Sequence, residues 1–178
     1  MRFILLLLAA AACLLPAQHA HSQIGIYGQF SMTHEGSTNT WYKGSTFGGY
    51  GNIASIGPIH LGADIRGTFG STAQYHYRDV LFGPRLEVRP RLLPVKPYIQ
   101  AAVGFGGTRY TGFTNLGSHY SNKLQYGVIG GADYTVLPHI DLRIPEIRYT
   151  RMSAVSGYPN PPKINVVGIG FGLVLRLP

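Results

Sequence analysis

The amino-acid sequence predicts an all-β chain, an eight-stranded antiparallel up-and-down transmembrane β-barrel. Three observations carry this. Apolar and polar residues alternate with a period of two through eight successive segments, the mark of strands with two unlike faces. Connections alternate between short and long, as in a barrel with turns at one rim and loops at the other. Every charged residue placed within a strand is expected on the face opposite the aliphatic one, which avoids the roughly 2 to 4 kcal/mol of an Arg or Lys facing lipid near the midplane.

The first strand is read from Gln23 to His34, with Ile24, Ile26, Phe30 and Met32 on one face and Tyr27, Gln29, Ser31 and Thr33 on the other. A Ser, Thr and Gly-rich stretch, Glu35 to Thr46, reads as a loop. The second strand, Phe47 to Ile56, is loaded with glycine and ends at Gly57-Pro58, a tight turn signal. The third alternates most clearly: Ile59, Leu61, Ala63, Ile65 and Phe69 oppose His60, Asp64, Arg66 and Thr68. After a loop from Gly70 to Tyr77, the fourth runs from Arg78 to Arg89, with Val80, Phe82, Leu86 and Val88 against Asp79, Arg85, Glu87 and Arg89.

Pro90 to Lys96 is a proline-rich turn, and the fifth strand, Pro97 to Gly107, sets Ile99, Ala101, Val103 and Phe105 against Tyr98, Gln100 and Ala102. A polar loop, Thr108 to Lys123, precedes the sixth, Leu124 to Val136, where Leu124, Tyr126, Val128, Ala132 and Tyr134 oppose Gln125 and Asp133. Leu137-Pro138-His139 closes it. The seventh begins with Ile140, Leu142 and Ile144 opposite Asp141 and Arg143; after Pro145 the phase slips, so that Ile147 and Tyr149 oppose Glu146, Arg148 and Thr150. A proline at a phase change predicts a β-bulge. A loop from Met152 to Lys163 leads to the last strand, Ile164 to Pro178, whose odd positions from Val167 to Leu177 are bulky and whose even positions include Gly168, Gly170 and Gly172. Three glycines would each cost a helix about 1 kcal/mol relative to alanine, so the strand is preferred.

Met1 and Arg2, the apolar run Phe3 to Leu15 and the small-x-small site Ala20-His21-Ser22 read as a secretory signal over residues 1–22, leaving one domain over 23–178. The run is too short to span a bilayer as a helix. The single cysteine, Cys13, lies within it; acylation there is the alternative reading. Removal of Arg2 lowers the formal charge from +8 to +7. The basic residues form no contiguous patch, which argues against a nucleic-acid partner. Charged residues are only 12% of the chain, against about 25% in an ordinary soluble domain, too few to clothe a water-facing surface. Alternation alone leaves open a soluble secreted ligand-binding barrel with its aliphatic face inward. The polar face, built largely of Gly, Ser, Thr, Gln and Tyr, suits a crowded lumen better than a soluble exterior.

Gly130-Gly131-Ala132-Asp133-Tyr134, Ile140-Asp141-Leu142-Arg143 with Glu146, Arg148 and Tyr149, and the terminal Gly172-Leu173-Val174-Leu175-Arg176-Leu177 resemble small eight-stranded outer-membrane barrels, the porin-like or OmpA-type barrel domain. That resemblance implies a bacterial outer membrane of Gram-negative type, a monomer among outer-membrane lipids and lipopolysaccharide, insertion by the barrel-assembly machinery, and no cofactor. Gly172, Leu175 and Leu177 are similar to the insertion signal of such barrels, departing from it in a Leu-Pro rather than aromatic end.

The lumen is expected to hold Asp64, Arg66, Arg85, Glu87, Arg89, Asp133, Asp141, Arg143, Glu146 and Arg148. Eight strands enclose only enough space for side chains, so these residues read as an ion-pair network in a non-enzymatic barrel acting structurally or through its extracellular loops. A narrow, arginine-lined pore is the second reading. A third is a lipid A deacylase-like hydrolase, because His119-Tyr120-Ser121-Asn122 resembles the His-x-Ser-Asn signature of such enzymes. Asp133 would lie roughly 40 Å along the strand from His119, so Glu35 or Glu146 would have to serve as the acid. His34, His60, His76 and His139 show no metal-ligand spacing. Trp41, Tyr42, Tyr110, Tyr120 and Tyr158 fall in predicted loops, as a contact surface or an interfacial girdle.

Overall fold

A computed structural model of the chain describes residues 23–36, 39–90, 92–110, 122–153 and 164–177. The proposed signal segment, His119 to Ser121, Tyr158 and Pro178 lie outside the described residues. Eight strands follow in order: β1 (Ile24–Glu35), β2 (Thr40–Ile56), β3 (Ile59–Ser71), β4 (Tyr75–Val88), β5 (Val95–Tyr110), β6 (Lys123–Leu137), β7 (Ile140–Met152) and β8 (Ile164–Leu177). Each pairs antiparallel with its neighbours, and β1 pairs with β8 from Ile24↔Leu177 to Glu35↔Val166, closing the barrel. Closure leaves no strand edge unpaired, the condition for β-structure in lipid.

Two predicted long loops are short hairpin connections. β2 begins at Thr40 rather than Phe47, because Thr33↔Tyr42 and Glu35↔Thr40 continue its pairing with β1. Similarly β4 begins at Tyr75, leaving residues 72–74 as the connection, and β5 reaches from Val95 to Tyr110. Composition misled here. Ser, Thr and Gly look like loop, yet these stretches continue the ladder, on one side for Thr40 to Tyr42 and on both from Lys43 onward. Trp41 and Tyr42 are therefore strand residues on opposite faces: Trp41 is exposed and tilted against His34 at 5.0 Å, whereas Tyr42 is fully buried.

The aliphatic face points outward on every strand, and Arg78, at the start of β4 beside Phe69, shares it, against the expectation that every strand charge lies on the opposite face; it can do so because it stands at the strand end rather than near the midplane. Ile26, Phe47, Ile65, Phe82, Phe105, Ile147 and Leu173 are each more than half exposed, while Asp64, Arg66, Arg85, Asp133 and Arg143 are almost wholly buried. This inverts the usual soluble distribution. Such an uninterrupted apolar belt far exceeds the few hundred Å² tolerated in water, which overturns the soluble alternative. The rim holding both strand termini and the turns at 57–58 and 138–139 is the periplasmic one, since barrels of this kind keep their turns there.

Pro145 lies at a bulge. In the pairing with β8, Arg143↔Gly172 is followed by Glu146↔Gly170, and β6 shows the same extra residue between Gly131↔Glu146 and Asp133↔Arg143. Ile144 and Pro145 both face outward, so the phase slip returns Glu146 and Arg148 to the lumen. Another extra residue, Ile53, bulges outward from β2 opposite β3.

Candidate functional site

All seven carboxylates of the sequence point into the lumen and are buried: Glu35, Asp64, Asp79, Glu87, Asp133, Asp141 and Glu146. Buried charges are expensive unless paired and hydrogen-bonded, and the partners come from across the barrel.

Glu146, set on β7 by the bulge, is the hub. Its Oε1 accepts from Arg66 Nη1 at 2.6 Å and Gln29 Nε2 at 2.6 Å; its Oε2 accepts from the Tyr98 hydroxyl at 2.5 Å and Arg143 Nη1 at 3.4 Å. Arg66 also donates to Gln100 Oε1 at 2.7 Å and pairs with Asp64, which accepts from the Tyr27 hydroxyl at 2.8 Å. In the ring of eight, β3 and β7 lie four places apart, on opposite walls. Arg66 to Glu146 therefore spans the whole lumen.

Toward the periplasmic end, Arg143 binds both oxygens of Asp133, at 2.8 and 3.0 Å, the bidentate fork that suits guanidinium and carboxylate. Arg85 donates to Asp133 and Glu87, each at 2.9 Å, and its guanidinium lies between Tyr50 and Tyr98, 4.0 and 3.6 Å from the ring centroids. Arg143 faces Tyr27 at 4.0 Å. Tyrosine faces thus solvate the arginine planes where water is excluded. At the periplasmic mouth, Arg89 pairs with Glu87, and Asp141 receives Lys96 at 3.0 Å and an ion pair from Arg176 Nε at 3.0 Å without hydrogen-bond geometry.

Closer to the extracellular end, Arg148 donates to Asp79 at 2.7 Å, to Thr68 on the opposite wall at 3.0 Å and to Thr33 at 2.7 Å. Gln125 Nε2 donates to Thr150 at 2.7 Å. Above these, Tyr42, Tyr77, Met152, Ile164 and Val166 form an apolar cluster. A cavity of about 10 Å³, lined by Gln29, Thr46, Glu146 and Arg148 among others, has room for about one water.

The structure places all ten residues expected in the lumen within this network. Sequence reasoning left out Asp79, although it sits on the polar face of its strand, and assigned Lys96 to a turn although it is in phase with Tyr98 and Gln100. Tyr27 and Tyr98 were legible only as polar-face residues and Tyr50 was assigned to no face; their stacking on arginine depends on strands far apart in sequence. Gly172 packs where a Cβ would meet Gln29 and the Gly28 carbonyl, and Leu175 and Leu177 face outward. Of the hydrolase-like motif only Asn122 is described, exposed and 3.5 Å from Arg78. The acids considered for it are held elsewhere: Asp133 by Arg85 and Arg143, Glu146 in the hub, and Glu35 accepting from the Tyr42 hydroxyl at 3.1 Å. Among the described residues no group of histidine, cysteine and carboxylate side chains has metal-site geometry.

These features define a closed outer-membrane barrel with a polar, packed interior. The model of the outer membrane protein beta-barrel domain matches residues 3–176, and the chain belongs to that family. No curated protein matches the sequence. Similar solved structures include Neisserial surface protein A, with a TM-score of 0.58, 14% identity and coverage of 88% of this chain and 97% of that one. A major outer membrane protein from Thermus thermophilus has a TM-score of 0.58 and 16% identity, covering 88% and 99%. Ail, the attachment invasion locus protein of Yersinia pestis, has a TM-score of 0.51 and 15% identity, covering 88% and 97%. At such identities the likeness is one of fold.

Proposed function

We propose that this is a non-enzymatic outer-membrane barrel with a sealed lumen, acting as a structural element of the envelope or through its extracellular surface. The carrying observation is the pair of side-chain bridges between opposite walls, Arg66 to Glu146 and Arg148 to Thr68. A conduction path must pass between the walls that these bridges tie together. Arginine side chains that would line an anion-selective pore are instead each engaged with carboxylates, so they offer no open ring of charge. Names of two similar structures, a surface protein and an attachment protein, fit a surface role for this architecture. Within this reading the protein is a monomer, inserted by the barrel-assembly machinery with Gly172, Leu175 and Leu177 as signal.

Planar-bilayer recording tests it. The refolded chain is expected to give no discrete conductance steps, whereas Arg66→Ala combined with Arg148→Ala, which removes both bridges, is expected to admit small ions. Steady conductance from the unaltered protein would make the narrow-pore reading correct.

A further inference from the structure

The lumen is close to electrically balanced, because its seven carboxylates meet Arg66, Arg85, Arg89, Lys96, Arg143, Arg148 and Arg176. The excess positive charge of the described residues therefore lies elsewhere. It is concentrated at the extracellular end, where Lys43, Arg78, Arg109 and Arg151 stand on the outward-facing positions of their strands. Toward the periplasmic rim the outward positions are apolar, as Ile24, Ile56, Leu61, Val136 and Leu175 show. One wall is thus greasy at one end and cationic at the other.

The cations are not evenly spread. On β2, β3 and β4 the outward residues Lys43, Ser71 and His76 are successive cross-strand neighbours, and Arg78 is paired with Phe69. They line a groove of about 440 Å³ whose apolar side is formed by Phe47 and Phe69, both more than half exposed. Two cations and two further polar side chains stand above two aromatic rings. Lys43 has no ion-pair partner among the described residues, and no carboxylate of the chain faces outward to neutralise the groove.

We propose that this groove binds a phosphate-bearing lipid of the outer leaflet, with the headgroup phosphate held by Lys43 and Arg78, assisted by Ser71 and His76, and an acyl chain laid across Phe69 and Phe47. Charge complementarity selects the occupant. A cationic cluster at the boundary of an apolar belt fits an anion tethered to hydrocarbon, and basic side chains near a membrane surface each contribute measurably to anionic-lipid affinity. Guanidinium and ammonium groups also match phosphate oxygens as donors. The inference does not rest on the sealed lumen, since it concerns the other face of the wall.

Native mass spectrometry of the full chain, purified in a zwitterionic detergent, tests this with bis-phosphorylated lipid A, dephosphorylated lipid A and inorganic phosphate as probes. The phosphorylated lipid is expected to be retained about thirtyfold more strongly than the dephosphorylated one, as two surface cations imply. The double variant K43Q/R78Q should abolish that difference while keeping the gel mobility shift of the folded barrel, and Phe69→Ala should weaken both lipids alike. If the double variant lacks the shift, K43Q and R78Q singly, each expected to lower the ratio about fivefold, carry the test. Equal retention of the two lipids overturns the proposal. So does an equal effect from R151Q, because Arg151 lies on β7, across the barrel from the groove, and such a result means diffuse rim charge. Displacement of the lipid by inorganic phosphate at equal concentration also overturns it, in favour of a free-anion site.

Discussion

The lumen is filled at two levels by different physics. Around Glu146 the closure is ionic: Arg66, Arg143 and Arg85 are threaded among Asp64, Asp133 and tyrosine rings. Toward the extracellular end it is apolar: Tyr42, Tyr77, Met152, Ile164 and Val166 pack together above Arg148. An apolar plug loses stability in proportion to what is removed. An ionic plug does not, because deleting one partner strands a charge with no water to take its place. The ionic level therefore specifies one arrangement of the eight strands, while the apolar level fills space and tolerates change.

The sharpest way to break the contrast is to shift the ionic level out of phase. Deleting Ile144 together with Pro145 sets Glu146 directly after the inward-facing Arg143 and so moves Glu146 and Arg148 onto the lipid face, each such charge costing about 2 to 4 kcal/mol near the midplane. No folded barrel should form, seen as loss of heat-modifiable mobility on a detergent gel. Glu146→Ala comes next. It leaves Arg66 short of its closest carboxylate, for an expected loss of about 3 to 5 kcal/mol, measured by urea unfolding followed through Trp41, the one tryptophan of the chain. At the apolar level Met152→Ala should cost about 2 to 4 kcal/mol by the same assay, and the refolded variant should stay non-conducting because the ionic closure below it is intact. Smallest is Tyr42→Phe, which deletes only the hydroxyl bonded to Glu35 and should cost about 1 kcal/mol. Should Met152→Ala prove more damaging than Glu146→Ala, the assignment of specificity to the ionic level is wrong.

Much of this was legible in the chain because the period of a strand is local. Asp64 and Arg66 sit two apart on one face whatever surrounds them, and the slip after Pro145 announces the bulge from seven residues of sequence. Strand ends were less legible. The stretch from Thr40 to Thr46 reads as loop by composition, yet it is strand because β1 supplies ladder partners throughout and β3 joins from Lys43 onward. Asp79 was as legible as Arg85 and Glu87, being on the same polar face of its strand; only its partner, Arg148, 69 residues away, was not.

By itself, then, the sequence determined two faces for every strand, the count of eight, the apolar middle of the outer belt and the bulge, since each follows from the pleat and from the cost of charge in lipid. Tertiary structure alone decided which residues meet. Closure between β1 and β8 sets which walls stand opposite, and only then does Arg66 reach Glu146 and Arg85 settle between Tyr50 and Tyr98. The groove of Lys43 and Arg78 has the same origin: residues 35 apart in sequence become neighbours through the register of β2, β3 and β4, which no local periodicity encodes.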